Sequence, residues 1–238
     1  MTRRWGKATH SHPIGKGLLA DLTRARIHED HRIVCFHGDG GVDGSPAMLG
    51  PLCQLLGRSG RITTAAVGYR TLNRDGATLD NMLADAVHAL DWARTSLAPH
   101  ARLHVLGASF GGLLALHAVL AKPAHIHTLI LLNPVTDTGP DGFSNRVVPA
   151  TGRPDISPLR VYAGHPILQR LHCLIGHGDA DAVVPISASE RFAALWPAGR
   201  CRLVTYHNAR HGFFHKPPRD QLMAAAILDF LTDLAPPP

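Results

Sequence analysis

From residue 32 onward the chain alternates short apolar runs with longer stretches in which apolar residues return at helical spacing. A run too short for a helix and apolar at nearly every position fits a strand buried on both faces. Residues 32–36, 61–67, 102–106, 126–132, 171–175 and 200–206 are the predicted strands. Between the second and third, Leu79, Met82, Leu83, Ala86, Val87 and Leu90 fall on one side of a helix, leaving Asp80, Asp85 and Asp91 for its outer face. Met223, Ala226, Ile227, Phe230, Leu231 and Leu234 repeat the pattern after Pro217 and Pro218, which suit a helix start because proline lacks the N–H an interior turn must donate. Strands alternating with helices predict an α/β fold around a mostly parallel sheet. Two segments depart from the rhythm. Residues 136–164 are rich in Gly, Pro, Asp and Ser with little periodicity, so a long loop or small lid is expected there. Residues 18–27 fit either an early strand pair or a short helix.

The length of 238 residues suits one α/β domain spanning residues 1–238. With 45% hydrophobic and 18% charged residues the chain reads as globular, and no apolar run approaches the roughly 18 residues of a membrane span, so no membrane partner is expected. Residues 1–16 are basic but lack the apolar stretch of an export signal, and the expected location is the cytoplasm. A formal net charge of +6 raises nucleic acid as a partner, yet Lys and Arg are scattered without blocks, so the expectation is a solvated basic surface and no nucleic-acid partner. Cys35, Cys53, Cys173 and Cys201 lack metal-ligand spacing and are expected to be reduced thiols.

The strongest chemical signal is Gly107-Ala108-Ser109-Phe110-Gly111-Gly112, which follows a predicted strand and opens a helical segment carrying Leu113, Leu114 and Leu120. A serine thrust out on a tight strand-to-helix turn needs glycine two positions before and after it, where side chains would collide with neighbouring elements. The helix start supplies an N–H and a positive dipole end toward a developing oxyanion. A second Gly-rich loop, His37-Gly38-Asp39-Gly40-Gly41, follows the strand ending at Phe36 and can aim further N–H groups into the same cavity. Together the two motifs resemble the α/β-hydrolases of the hormone-sensitive-lipase-like, acetyl-esterase type, whose HGGG-type loop precedes a G-x-S-x-G elbow, and the likeness spans roughly residues 32–232. The resemblance implies an α/β-hydrolase fold, Ser109 as nucleophile, and an oxyanion hole built from the N–H groups of Asp39, Gly40 and Phe110. Asp39 replaces the second glycine of the loop. Its carboxylate is expected to point away from the oxyanion, which it would oppose, or to bind a cationic or hydroxyl group of the substrate. Gly68-Tyr69-Arg70 is similar to the family's D-Y-R segment, with Gly68 in place of the acid, and is assigned to loop packing.

A triad in the hydrolase order Ser, acid, His needs a carboxylate after a later strand and a histidine before the last helix. His177-Gly178-Asp179-Ala180-Asp181-Ala182-Val183-Val184-Pro185 resembles the family's H-G-x-x-D-x-x-V-P loop, which implies Asp181 as the acid. Asp179, and Asp137 after the strand ending at Leu132, are the alternatives. Among 17 histidines, His211 begins His211-Gly212-Phe213, similar to the family's H-G-F segment, and is the implied base. His207 and His215 flank it at four-residue spacing, but Gly212 and the prolines beyond argue against one helical face carrying all three, so no metal is expected. No cofactor is implied either. The implied activity is hydrolysis of a small-molecule carboxylic ester through an acyl-enzyme. A thioesterase or peptidase on the same triad, and a non-catalytic ligand-binding protein on the same fold, are the alternatives. Residues 136–164 hold few large apolar side chains, Phe143, Ile156, Leu159, Val161 and Tyr162, which points to short acyl groups.

Overall fold

All six apolar runs become strands in the computed structural model, which describes residues 10–96, 98, 100–143 and 156–234. They are β3 (His31–Phe36), β4 (Ile62–Gly68), β5 (Arg102–Ala108), β6 (Ile126–Leu132), β7 (His172–Gly178) and β8 (Cys201–Tyr206), parallel to one another in the order β4-β3-β5-β6-β7-β8. Strands β3 to β7 are buried almost throughout, which is why their sequences carry no alternation between faces. The segment the sequence leaves open is extended. β1 (His10–Gly15) and β2 (Leu18–Thr23) form an antiparallel hairpin, and β2 pairs antiparallel with β4 to bring the sheet to eight strands. Leu18, Ala20 and Leu22 turn inward while Leu19 stays 46% exposed.

The helices are α1 (Gly50–Gly57), α2 (Leu72–Asp75), α3 (Leu79–Thr95), α4 (Phe110–Ala121), α5 (Pro158–Val161), α6 (Ile186–Ala193) and α7 (Arg219–Asp233). α3 and α4 bury their apolar sides against one face of the sheet, α1 and α7 against the other. α3 starts in a capping box, with Asn81 N donating to Thr78 Oγ1 at 3.3 Å and Thr78 N donating to Asn81 Oδ1 at 3.0 Å. Its expected outer face needs one correction. Asp80 is exposed, but Asp85 is 1% exposed and its two oxygens accept from Arg70 Nη2 at 2.6 Å and Arg70 Nε at 2.9 Å. Arg70 comes from the loop after β4, so the partner that makes this burial tolerable is invisible to the helix's own periodicity.

The insertion expected at residues 136–164 is described in part. Residues 144–155 lie outside the described residues. Tyr162 is fully buried, donates its hydroxyl to Leu116 O at 2.9 Å and meets Phe192 edge-on, while Ile156 and Leu159 pack against the same core. These three side chains therefore pack on the core around α4 and α6. All four cysteines are free thiols; three are buried and Cys201 is half-buried on the edge strand. No helix among the described residues is long and apolar enough to cross a membrane.

Candidate active site

The order in which strands are added reverses between β3 and β5: β3 leads to β4 on one side, β5 to β6 on the other. Loops leaving the carboxyl ends of two such strands diverge and open a crevice between them. The loop after β3 carries His37 to Gly41, and Ser109 follows β5 directly. The loop after β6 brings in Asn133, that after β7 brings Asp181, and that after β8 brings His211.

Ser109 sits at φ 53°, ψ −122°, a conformation costly for a residue with a Cβ, by about 1–3 kcal/mol. Hydrogen bonds hold it there: its N–H donates to Leu132 O, and its carbonyl accepts from Gly112 N and Val135 N, each at 2.9 Å. The flanking glycines have steric reasons. A Cβ on Gly107 would lie 2.4 Å from Gly111 O, and one on Gly111 would lie 2.1 Å from Phe36 O.

The loop after β3 is pinned from below. Tyr69 donates its hydroxyl to His37 O at 2.9 Å, with Gly38 O at 3.1 Å, and its ring stacks on His37 at 4.2 Å between centroids. Burial pushes His37 down to about 4, against the raising effect of its contact with the Gly38 carbonyl, so the ring is neutral near pH 7. Asp39, Gly40 and Gly41 all have positive φ, 78°, 64° and 75°. The N–H groups of Asp39 and Gly40 have no protein acceptor among the described residues, nor does that of Phe110, the first residue of α4. Asp39 is solvent-exposed at the cleft wall rather than buried against the serine.

His211 Nε2 lies 2.9 Å from Ser109 Oγ, and His211 Nδ1 lies 2.7 Å from Asp181 Oδ2. The Asp181 side chain has no solvent exposure, and its Oδ1 accepts from Val183 N at 2.8 Å and Val184 N at 3.0 Å. Burial alone would raise its pKa, but hydrogen bonds from His177 and His211, the His211 charge and the Val184 N–H outweigh burial and hold the carboxyl well below the usual carboxylate range. The two alternative acids are engaged elsewhere. Asp179 meets His207 Nδ1 at 2.8 Å and accepts from Asn208 N at 2.7 Å, whereas Asp137 accepts from Arg191 Nη2 at 2.6 Å and Gly139 N at 2.8 Å. Ser109, His211 and Asp181 are thus brought together, with the expected oxyanion residues beside them.

A family model described as alpha/beta hydrolase fold matches residues 33–162, more than half of the chain. The chain belongs to the α/β-hydrolase family. Among solved structures the hydrolase is similar to Thermogutta terrifontis esterase 2. The apo form of that esterase gives a TM-score of 0.80 at 26% identity, over 96% of this chain and 97% of that one. The propionate-bound form, a thermophilic esterase from this Planctomycetes species, gives 0.79 at 25% identity over 97% of both chains. The form phosphonylated by cyclosarin gives 0.80 at 25% over 96% of both. No curated protein sequence matches the hydrolase.

The hydrolase cleft above Ser109 has a volume of about 340 Å³, with Val42, Met48, Phe143, Val183 and Phe214 as its apolar wall. His215, held low in pKa by burial, also lines it. Of the apolar residues expected between 136 and 164, Phe143 reaches this cleft; Ile156, Val161 and Tyr162 line a separate groove beside α3 and α4. Tyr69, assigned to loop packing, does pack a loop, and the loop is the Gly-rich one. A second neighbour, Asn133, escapes a motif reading. Asn133 is fully buried at φ 33°, with its amide nitrogen 3.2 and 3.5 Å from the two ring nitrogens of His211, so it packs against the imidazole. The sequence signal for Asn133 is modest: asparagine tolerates positive φ, and it ends an apolar strand just before Pro134.

Proposed function

We propose that the hydrolase cleaves small carboxylic esters through Ser109 as nucleophile, His211 as general base and Asp181 as the acid that orients it, with the oxyanion held by the N–H groups of Asp39, Gly40 and Phe110. The observation that carries this reading is the continuous chain from Ser109 Oγ through both ring nitrogens of His211 to Asp181 Oδ2, ending on a strained elbow in an open cleft. His211 Nε2 takes the serine proton as Oγ attacks the ester carbonyl, and the same nitrogen then protonates the departing alcohol. Asp181 stays ionised and accepts a hydrogen bond from Nδ1–H, so the tautomer that leaves Nε2 free is the stable one, and the imidazolium formed in attack is compensated. The free N–H groups face the growing negative charge without reorganising. Water repeats the sequence on the acyl-enzyme and releases the acid.

A cleft of this size with a short apolar wall supports acyl groups of about two to four carbons, because each further methylene gains its roughly 0.8 kcal/mol only where protein covers it. The similar esterase bound to propionate supports the same range, and its phosphonylation by cyclosarin supports a reactive nucleophile in a protein of this fold. The test is kcat/KM for p-nitrophenyl acetate, butyrate, octanoate and palmitate with the wild-type chain and Ser109→Ala. The expected result is a maximum at acetate or butyrate and a loss of at least roughly a thousandfold in the variant. A rise continuing through octanoate overturns the short-acyl reading; activity surviving in Ser109→Ala overturns the nucleophile.

A further inference from the structure

Asp181 has a second imidazole. His177, near the end of β7 and four residues before the acid, is fully buried, with Nε2 3.1 Å from Val184 O and 3.4 Å from Asp181 Oδ2. That carboxylate oxygen is the one His211 Nδ1 approaches at 2.7 Å. On its other side His177 Nδ1 lies 2.8 Å from Oγ of Ser189, a fully buried residue of α6. Nε2 faces acceptors, the Val184 carbonyl and the ionised Asp181, so it carries the proton, and Nδ1 accepts from the Ser189 hydroxyl. One carboxylate oxygen is therefore flanked by two serine–histidine pairs: Ser109 with His211 toward the cleft, Ser189 with His177 in the interior.

We infer that His177, oriented by Ser189, is a positioning residue that sets how strongly Asp181 holds the proton of His211; the inference rests on the triad proposed above. A carboxylate oxygen that already faces the N–H of one ring has less charge to offer the other, so the 3.4 Å approach of His177 Nε2 weakens the pull of Asp181 on the imidazolium. The interior pair thereby keeps His211 able to shed its proton as general base. The other groups facing the dyad come from separate elements. His211 meets Ser109 from the elbow and the Asn133 amide from the end of β6, and His215, whose own pKa is lowered by burial and then by the His211 charge, stands in the same turn. Asp181 Oδ1 is occupied by Val183 and Val184 N–H, Asp39 lines the cleft wall, and the Asp179–His207 pair lies on the neighbouring surface.

The test is the pH profile of kcat/KM on p-nitrophenyl acetate in His177→Asn, His177→Gln and Ser189→Ala. The asparagine amide reaches only the Nδ1 position, keeping Ser189 and removing the donor to Asp181. The glutamine amide reaches the Nε2 position and restores that donor. The acid limb is expected to move up by roughly half a pH unit in His177→Asn, a fraction of the worth of a charged hydrogen bond because the contact is long. Ser189→Ala should move it the same way by less, and His177→Gln should return it to the wild-type position. If His177→Asn does not fold, the other two variants decide. Lower rates at every pH with an unmoved limb overturn the inference alone, since a purely structural role predicts that pattern. A wild-type chain without Ser109-dependent hydrolysis overturns the triad reading and the inference with it.

Discussion

At the scale of single residues, the site depends on positions where the backbone leaves no room. Gly111 is the clearest: its added methyl would meet Phe36 O at 2.1 Å, and backbone cannot swing aside as a side chain can. Gly111→Ala is expected to cost about 3 kcal/mol or more in stability and to displace Ser109 from His211, measured as a fall in urea midpoint together with loss of ester hydrolysis. A milder probe is Tyr69→Phe, which keeps the ring stacked on His37 and removes the hydroxyl given to the His37 and Gly38 carbonyls. Losing a bond worth about 1–1.5 kcal/mol, felt where the oxyanion forms, should lower kcat about tenfold with little change in KM. A wild-type kcat would show that the loop holds its shape without that anchor. The serine and its glycines were legible as a strand-to-helix turn, and the proposed acid and histidine through their likeness to family motifs, with Asp179 and Asp137 left open; the structure brings Ser109, His211 and Asp181 together. For Tyr69 the sequence indicated loop packing but not which loop, because its partners are 31 and 32 residues away and nothing local marks the contact.

At the scale of elements, the central strands were readable because burial on both faces makes them continuous apolar runs. β2 was ambiguous for the opposite reason: half its residues face outward, and six residues of mixed character fit more than one period. The helix α3 was readable as a helix but not in how it meets its surroundings, since Asp85 is inside. Arg70→Met should leave that carboxylate buried without its cation and cost about 1–3 kcal/mol, below the figure for a fully buried pair because the Arg70 side chain is 43% exposed. Chemical denaturation measures it, and adding Asp85→Leu should recover part of the loss, since an apolar pair needs no charge compensation. An unchanged midpoint in Arg70→Met would mean that the backbone bond from Arg70 N, at 3.1 Å, suffices for Asp85.

At the scale of the whole molecule, the proposed chemistry lies at the carboxyl ends of the parallel strands, and a group of histidines lies at their amino ends. His31 Nδ1 and His104 Nε2 are 3.0 Å apart, and His104 Nδ1 is 2.7 Å from Thr128 Oγ1. Burial, aided by the Arg102 charge, lowers the pKa of His31, His104 and His127 below the ordinary 6.5. The folded state binds these protons less readily than the unfolded chain, so stability is full above about pH 6.5 and is lost as pH falls toward the folded values. The urea midpoint should hold from pH 8 to about 7 and decline below about 6.5, before carboxylates begin to protonate; a midpoint flat to pH 5 would contradict this. None of that arrangement was visible in a chain with 17 histidines, because sheet register, not spacing, puts His31 beside His104. The central claim is that Ser109 is the activated nucleophile of this hydrolase. The most direct measurement is peptide mass spectrometry after treatment with a fluorophosphonate, comparing wild type with Ser109→Ala. One covalent adduct is expected, on Ser109, lost in the variant together with ester hydrolysis; an adduct on another residue, or labelling undiminished in Ser109→Ala, would rule Ser109 out.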